Sequence, residues 1–252
     1  MLVSKRVSKR VSMRRPAALA VAVASLALAG VPARAIVGGA EAPAGAAVMV
    51  LSSKGGVCTG VVLAPDTVLT AGHCAADAPE HRIHFRDAAG APILVEVAAR
   101  AVHPGYDAGA AKARRRSIDL ALLRTATPLP PRFAPATLSA APPQAGEALT
   151  LGGYGAARPG DPRSTGTYRS LTLPVIEPYG PSRILVWLRG GTGGACQGDS
   201  GGPIAGPDGV RALAAWIGGA CGGLTQGVLV GPQRGWIDGV LEGWGRSARW
   251  AG

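Results

Sequence analysis

The stretch Gly198-Asp199-Ser200-Gly201-Gly202-Pro203 is the feature around which the rest of the chain is organised. Glycine gives the backbone conformations that other residues resist, and Asp and Ser favour turns, so composition alone predicts a tight, exposed turn. Most turns of this composition have no chemical role. Serine becomes a nucleophile only where a neighbouring base removes its proton, so a catalytic interpretation of Ser200 requires a histidine and a buried carboxylate elsewhere in the chain.

Two upstream segments supply these groups. Thr70-Ala71-Gly72-His73-Cys74 places a histidine directly beside a cysteine that is expected to be in a disulfide, which would fix its backbone. Ser117-Ile118-Asp119-Leu120 carries one aspartate at the start of an apolar run. An ionised aspartate entering a core is costly unless it is hydrogen-bonded, and an imidazole N–H would serve. His81, His84 and His103 lack such a context and are expected at the surface.

Charge gives little support to a nucleic-acid partner. The 252 residues have a formal net charge of +11, but residues 1–35 hold seven of the 26 basic residues and no acid. The remainder has 19 basic against 15 acidic residues, or +4, and no nucleic acid is expected. Arg114-Arg115-Arg116 is expected to form a solvated loop rim, although its closeness in sequence to Asp119 could place positive charge near a substrate cleft.

Residues 1–35 have the pattern of an export signal. A basic start is followed by an apolar run over 16–30 and then by Ala33-Arg34-Ala35, a small-x-small site of the kind that signal peptidase cuts. The run is short for a bilayer span and no later stretch competes with it, so no stable membrane insertion is expected after the signal is cut. The protein is therefore expected to be secreted, to the extracellular space or a periplasm. The start is either Met1 or Met13, and the export route is open.

Four cysteines follow the leader. An even number in an exported chain favours two disulfides over free thiols, and the spacing suits no zinc site. Three pairings are possible, and the economical one joins the two cysteines within each half of the chain. Each bond would then close a loop of roughly 15 to 25 residues and stabilise the fold by about 3 kcal/mol. The two expected pairs are Cys58 with Cys74 and Cys196 with Cys221.

The pattern of apolar residues predicts an all-β fold. Short apolar runs are separated by clusters of Gly, Pro, Asp and Ala, which is typical of an antiparallel sandwich or barrel. A proline-rich stretch over about 126–146 predicts an extended link between two halves. Trp236, Val240 and Trp244 share one helical face, which predicts a short helix over about 235–250.

Taken together, these motifs resemble the chymotrypsin/trypsin family of serine proteases. The order His, Asp, Ser matches that family among the known triad orders. The resemblance covers residues 36–245, and it implies two antiparallel six-stranded β barrels with a short C-terminal helix. The expected division is a signal peptide over 1–35 and a protease domain over 36–252, with barrel 1 over about 36–125 and barrel 2 over about 147–234. The motifs are Ile36-Val37-Gly38-Gly39, Thr70-Ala71-Gly72-His73-Cys74, Asp119-Leu120-Ala121-Leu122, Gly152-Gly153-Tyr154-Gly155, Gly198-Asp199-Ser200-Gly201-Gly202-Pro203 and Trp216.

The resemblance implies a role for each residue of the triad. Ser200 would be the nucleophile, His73 the general base, and Asp119 the group that holds the imidazole tautomer. The backbone N–H groups of Gly198 and Ser200 would form the oxyanion hole, where each donor is worth on the order of 3 kcal/mol in the transition state. The implied activity is hydrolysis of peptide bonds through an acyl-enzyme, with protein or peptide substrates, no cofactor and no metal.

The resemblance also assigns a role to the start of the mature chain. In the family, an activating cut frees the amine at the position of Ile36, and this amine pairs with the aspartate at the position of Asp199. Because Ala35 precedes Ile36, signal cleavage and activation would coincide, and export itself would yield active enzyme. Activity is expected to rise as His73 loses its proton, at about pH 6.5 to 7, and to fall at alkaline pH as the amine deprotonates.

The specificity pocket and one departure complete the comparison with the family. Gly194 would form the pocket base, which argues against Arg or Lys substrates, and Ile217 and Gly227 would form its walls. Ile217 narrows the pocket and favours cleavage after small apolar residues. Ala215 stands where the family usually has a serine that supports the catalytic Asp, so Asp119 is expected to lose one hydrogen bond.

Four further expectations are open to test. A protease-like fold that only binds its partners is the competing hypothesis, although such proteins usually lack a triad residue and this chain has all three. A leader retained as a membrane anchor is a weaker alternative. The mature protein is expected to be a monomer, and enrichment in Ala, Gly and Arg suggests a bacterial source.

Overall fold

Six antiparallel strands close the first barrel in the computed structural model, which describes Met1 and residues 36–113, 115–191 and 193–252. The strands are β2 (Ala47–Ser52), β3 (Val57–Ala64), β4 (Thr67–Thr70), β5 (His81–Arg86), β6 (Pro92–Val102) and β7 (Ala121–Thr125). They hydrogen-bond in the order β2-β3-β4-β7-β6-β5. Burial alternates along β5, as expected for a strand with one face in a core, whereas β4 is buried throughout.

Six further antiparallel strands close a second barrel. They are β9 (Ala148–Gly153), β10 (Arg169–Ile176), β11 (Leu185–Leu188), β12 (Pro203–Gly206), β13 (Gly209–Gly218) and β14 (Leu224–Leu229). They hydrogen-bond in the order β12-β9-β10-β11-β14-β13, and β12 pairs with β13 to complete the ring. The all-β prediction of two six-stranded barrels is therefore confirmed.

Short elements connect and cover the barrels. Three helices and three two-residue strands complete the described chain, together with 3-10 turns at Pro162–Ser164 and Gly231–Gln233. None of the described helices is long and apolar enough to cross a membrane. The elements are α1 (Gly72–Ala76), α2 (Ala110–Ala113), α3 (Arg234–Gly243), β1 (Ala40–Glu41), β8 (Thr137–Leu138) and β15 (Arg249–Trp250).

Each barrel has its own apolar core, and a third cluster joins them. The joining cluster contains Leu69 and Leu122 from the first barrel, Leu213 from the second, and Ile237 and Leu241 from α3. Burying these side chains together stabilises the association of the two barrels, because each fully buried aliphatic side chain contributes about 1.5–3 kcal/mol. Packing therefore holds the interface between the two barrels in place.

The expected division of the chain differs from the structure in three places. β1 pairs with β10, and Ile36 packs in the core of the second barrel, so the segment 36–41 belongs to barrel 2 and not to barrel 1. The expected link over 126–146 contains β8. Helix α3 ends at Gly243, earlier than expected, because glycines weaken this turn and the chain then adds β15 beside β8.

Two histidines expected at the surface are buried. His81 begins β5 with its side chain facing inward, and His103 packs edge-to-face against Trp236 with 4.7 Å between ring centroids. Burial lowers the pKa of both imidazoles, because it disfavours the charged form.

Both expected disulfides are present. Cys58 bonds to Cys74 in the first barrel, and Cys196 bonds to Cys221 in the second. The first ties the residue after His73 to β3, and the second ties the segment before Ser200 to the loop that precedes β14. The predicted signal peptide over 1–35 lies outside the described residues, apart from Met1.

Candidate active site

His73 and Asp119 meet through two hydrogen bonds. His73 lies on the short helix α1, directly after β4, and Asp119 lies two residues before β7. The His73 backbone N–H donates to Oδ1 of Asp119 over 2.7 Å, and Nδ1 of the ring lies 2.7 Å from Oδ2. β4 and β7 are neighbours in the first barrel, so their ends bring the two residues together. With both oxygens engaged, the carboxylate fixes the orientation of the ring and favours a proton on Nδ1.

Asp119 also changes the basicity of the imidazole. Burial of His73 opposes protonation, but the hydrogen bond and the negative charge of Asp119 favour it, with a smaller contribution from the charge of Asp77. The net result is a pKa of His73 above its ordinary value of about 6.5. The neutral ring is therefore a stronger base than a solvated histidine.

The turn that carries Ser200 is held from the first barrel by a residue that the sequence analysis missed. Thr59, buried in β3, donates from its backbone N–H to the Ser200 carbonyl over 2.8 Å. Its hydroxyl donates to the Gly198 carbonyl over 2.9 Å. Thr59 therefore fixes the position of the Ser200 turn relative to the barrel that carries His73. Nothing in a single threonine of a strand signals this role in the sequence.

Ser200 and His73 line one cleft of about 240 Å³, with the Cys58–Cys74 disulfide on its wall. Within the described residues no hydrogen bond joins the Ser200 hydroxyl to His73, and Nε2 lies 3.5 Å from Sγ of Cys74. Catalytic hydrogen bonds are often long in unliganded enzymes and shorten when substrate binds. The cleft therefore brings together a hydroxyl, an imidazole and a carboxylate, with room for a substrate.

The backbone around Ser200 leaves two N–H groups unused. Gly198 has φ of +97°, a conformation that side chains resist, and a Cβ there would lie 2.8 Å from Cα of Gly155. Across the described ranges, the N–H groups of Gly198 and Ser200 have no protein acceptor, whereas those of Asp199, Gly201 and Gly202 each donate to a carbonyl. One free donor is the backbone N–H of Ser200 itself, and the other lies two residues before it.

Asp199 is a second carboxylate with a different environment. It is fully buried and accepts hydrogen bonds from the N–H groups of Gly155 and Cys196, both over 2.8 Å. Burial raises its pKa to about 7, against the opposing effect of the two hydrogen bonds. Gly153 and Gly155 make room for this carboxylate, since a Cβ at Gly155 would lie 2.6 Å from its Cγ. A cationic partner would lower this pKa and favour the charged form at neutral pH.

Ile36 lies against the segment that contacts Asp199. Its side chain is buried beside Ala195 in the core of the second barrel, and Val37 forms a bridge with Gly194. The backbone of Ile36 has φ of +47°, which is strained for a β-branched residue and costs about 1–3 kcal/mol. The start of the expected mature chain therefore lies against the segment whose Cys196 N–H donates to Asp199.

One residue beside the proposed specificity pocket is not the residue that the sequence led us to expect. Ile217 and Thr225 are directly opposed on β13 and β14, and Oγ1 of Thr225 would lie 3.1 Å from a Cβ at Gly194. Gly227, which was expected on the wall, lies opposite Ala214, where a Cβ would contact Ile204 of the core. The expectation for Gly227 was therefore wrong, because this strand position faces the barrel interior. Thr225, and not Gly227, is the residue of β14 that lies beside Gly194 and opposite Ile217.

The sulfur atoms beside His73 form no metal site. Sγ of Cys58, Sγ of Cys74 and a ring nitrogen of His73 lie within 4.8 Å of one another. Both sulfurs are in the disulfide, however, and a metal is bound by thiolates.

Ala215 is buried and offers no side-chain donor, so among the described residues Asp119 receives hydrogen bonds from His73 alone.

Comparison with known structures agrees with the two-barrel architecture. Mouse neuropsin, a serine protease expressed in the limbic system of the brain, superposes with a TM-score of 0.70 at 20% identity, covering 81% of this chain and 99% of that one. Human heparin binding protein superposes with a TM-score of 0.70 at 24% identity, covering 82% and 97%. At these identities the likeness concerns the fold.

Comparison with known sequences identifies the family. Human serine protease 56 is 34% identical over 195 residues, which cover 67% of this chain and 31% of that protein. Human kallikrein-15 is 29% identical over 175 residues, which cover 58% and 65%. The match therefore spans about a third of serine protease 56. The trypsin family profile matches residues 36–236. The chain belongs to the trypsin family of serine proteases.

Proposed function

We propose that this protein is a serine endopeptidase in which Ser200 is the nucleophile, His73 the general base and Asp119 the residue that orients the base. The observation that carries the proposal is the 2.7 Å contact between Nδ1 of His73 and Asp119, in a cleft that Ser200 also lines. Oγ of Ser200 attacks the substrate carbonyl while its proton moves to Nε2 of His73. His73 then gives that proton to the departing amine, and water repeats the sequence to release the acyl group.

The free N–H groups of Gly198 and Ser200 support an oxyanion hole. The tetrahedral intermediate carries a negative oxygen, and two donors held by the turn would stabilise it without reorganising. The positive φ of Gly198 orients its peptide group, and Thr59 fixes both carbonyls of the turn from the neighbouring barrel. We assign the oxyanion hole to these two N–H groups.

Activation is assigned to Ile36 and Asp199. A cut before Ile36 would free an amine that pairs with the buried carboxylate, which keeps Asp199 ionised at neutral pH. The same cut removes the φ dihedral of Ile36 and with it the strain at this residue. Both effects favour a mature chain that begins at Ile36, so signal cleavage after Ala35 would yield active enzyme.

Small apolar residues are the proposed preference on the acyl side of the cleaved bond. Ile217 and Thr225 reduce the width of the pocket, and Gly194 supplies no carboxylate for Arg or Lys. A panel of peptides that differ only at this residue is expected to be cleaved after Ala or Val. Efficient cleavage after Arg would contradict the assignment.

We further propose that the protein is secreted and acts as a monomer on protein or peptide substrates. Export rests on the pattern of residues 1–35 and on two disulfides, which form in oxidising compartments. The curated relatives are human and mouse proteins, so neither the bacterial source nor the periplasmic location suggested by the sequence gains support from them.

Labelling with a fluorophosphonate probe tests the function. The wild-type protein is expected to react at Ser200, and Ser200→Ala is expected not to react. Ser247→Ala, which removes an exposed serine between α3 and β15, is the matched control and should react like the wild type. A folded wild-type protein that fails to react would overturn the proposal and favour the alternative of a protease-like binding protein.

A further inference from the structure

A second groove, of about 370 Å³, lies in the same chain and is not part of the proposed catalytic machinery. It is formed by the residue three positions before Asp119 and by the loop that leads into β11. Its lining is both basic and aromatic, which is unusual in a chain with so few aromatic residues. The residues that characterise it are Arg116, Tyr179, Pro181, Arg183, Ile184 and Trp187.

A series of aromatic rings connects this groove to the specificity pocket. Tyr179 packs edge-to-face on Trp187 with 5.1 Å between centroids, and Trp187 packs edge-to-face on Trp216 at 6.3 Å. Trp187 and Trp216 both lie opposite Gln226 of the central strand β14. Trp216 directly precedes Ile217 of the pocket and is 45% exposed, while Tyr179 is 76% exposed. Two exposed aromatic rings, Tyr179 and Trp216, are therefore linked through the buried ring of Trp187.

The arrangement of strands indicates which part of a substrate reaches the groove. The proposed specificity pocket and the groove are both built on the sheet β11-β14-β13, whereas the 240 Å³ cleft is lined by residues of the first barrel together with the turn that carries Ser200. The residue in the pocket supplies the carbonyl that is attacked. Residues that precede it would therefore follow Trp216 toward the groove, and the leaving segment would occupy the other cleft.

The charges of the groove are unbalanced. Arg115 makes an ion pair of 2.6 Å with Asp107, but no ion pair within the described ranges involves Arg116 or Arg183, and both are exposed. No acidic residue lines the groove, and Glu177, the nearest acid in sequence to Tyr179, is outside the lining. Two unneutralised guanidinium groups therefore face the space that precedes the specificity pocket.

We infer that this groove selects substrates with Asp or Glu about two to four residues before the cleaved bond, at the spacing of about 3.3 Å per residue of an extended chain. The carboxylate would pair with Arg116 or Arg183, in the bidentate geometry that guanidinium groups favour, and its stem would pack on Tyr179 or Trp187. The inference rests on the proposed endopeptidase function and adds a substrate class to it.

The test compares peptides that carry Ala before the cleaved bond and differ only by Glu, Gln or Lys two residues earlier. The wild type is expected to show kcat/KM about fivefold higher for the Glu peptide than for the Lys peptide at low salt, since an exposed ion pair contributes up to about 1 kcal/mol. This ratio should fall severalfold in 0.5 M salt, because the pairs are exposed. Arg116→Gln/Arg183→Gln should bring the ratio of the Glu peptide to the Lys peptide close to one.

A matched double variant separates local from overall charge. Arg163→Gln/Arg249→Gln removes two exposed arginines that line neither cleft and is expected to keep the wild-type ratio. Equal rates for Glu and Lys peptides in a wild type that reacts with the fluorophosphonate probe would overturn this inference alone. A control variant that loses the preference as fully as the groove variant would also overturn it. A wild type without probe reactivity would overturn the proposed function and this inference together.

Discussion

Asp119 and Asp199 are the same chemical group in two environments. Asp119 is partly exposed, with 16% of its side chain accessible, and both oxygens contact His73. Asp199 is fully inaccessible and contacts two backbone N–H groups. Asp119 acts on the imidazole of His73 and raises the pKa of that ring. Asp199 has its own pKa raised to about 7 because burial disfavours its charge.

This difference distinguishes the roles proposed for the two carboxylates. A carboxylate beside an imidazole has a partner that gains a proton during the reaction, so its charge matters in the transition state. A carboxylate among backbone amides has no such partner, so its charge depends on whether a cation arrives. On the proposed assignment, that cation is the amine of Ile36, and Asp199 is an activation group and not a triad residue.

Asp119→Asn is expected to have the largest effect. The amide would favour the wrong tautomer of His73 and could not stabilise the imidazolium, so kcat should fall by about 10⁴-fold while the fold is retained. Steady-state kinetics with a small apolar peptide measures the loss. Asp161→Asn, at an exposed aspartate paired with Arg158, is the control and should change kcat by less than about twofold. A loss of less than tenfold for Asp119→Asn would remove this residue from the triad.

Asp199→Asn is expected to have the next largest effect on activity. The amine of Ile36 would lose its partner and the N–H groups at Gly198 and Ser200 would lose their fixed positions, which should lower kcat by about 10²–10³-fold. Unlike Asp119→Asn, this variant should also lose the difference in activity between cut and uncut chains. Full activity of Asp199→Asn would contradict the activation role.

The uncut chain provides a separate readout of Asp199. A folded-state pKa raised to about 7 means that the contribution of this group to stability is fully present below pH 4 and is lost as pH rises toward 7. Thermal unfolding of a chain that extends upstream of Ile36 should therefore show a decline over this window, which Asp199→Asn abolishes. The cut chain should lack the decline, because pairing with the amine keeps the carboxylate ionised.

The pH profile of kcat/KM is expected to give the smallest effect. His73 must be neutral to accept a proton, and Asp119 raises its pKa, so the acid limb should lie above pH 6.5. The alkaline limb should follow the Ile36 amine, above the ordinary value of about 8 for an α-amino group. Measurement from pH 5 to 10 locates both limbs. A profile that stays flat to high alkalinity would argue against the pairing of Ile36 with Asp199.

The barrels could be predicted from the sequence because their strands are short apolar runs between turn residues. Strand β10 is harder to predict, since Pro174 interrupts it and proline is poorly compatible with a strand interior. His103 was taken for a surface residue, because its burial depends on Trp236, which follows it by more than a hundred positions. Contacts of this range depend on how the barrels pack and leave no local pattern.

The candidate site divides in the same way. His73, Asp119 and Ser200 lie in motifs that identify them, so their positions could be predicted. Thr59 could not, because its role depends on the docking of one barrel on the other. The position of Thr225 depends on the pairing of β13 with β14, whose register shifts between Ala214 and Trp216.

Sequencing the N-terminus of the reactive molecules is the most direct test of the separate roles proposed for Asp119 and Asp199. The secreted protein is treated with a fluorophosphonate probe, the labelled and unlabelled fractions are separated, and each is sequenced from its N-terminus. Labelled chains are expected to begin at Ile36, and chains with any residue before Ile36 are expected to remain unlabelled. Labelled chains that begin upstream of Ile36 would contradict the pairing of the Ile36 amine with Asp199.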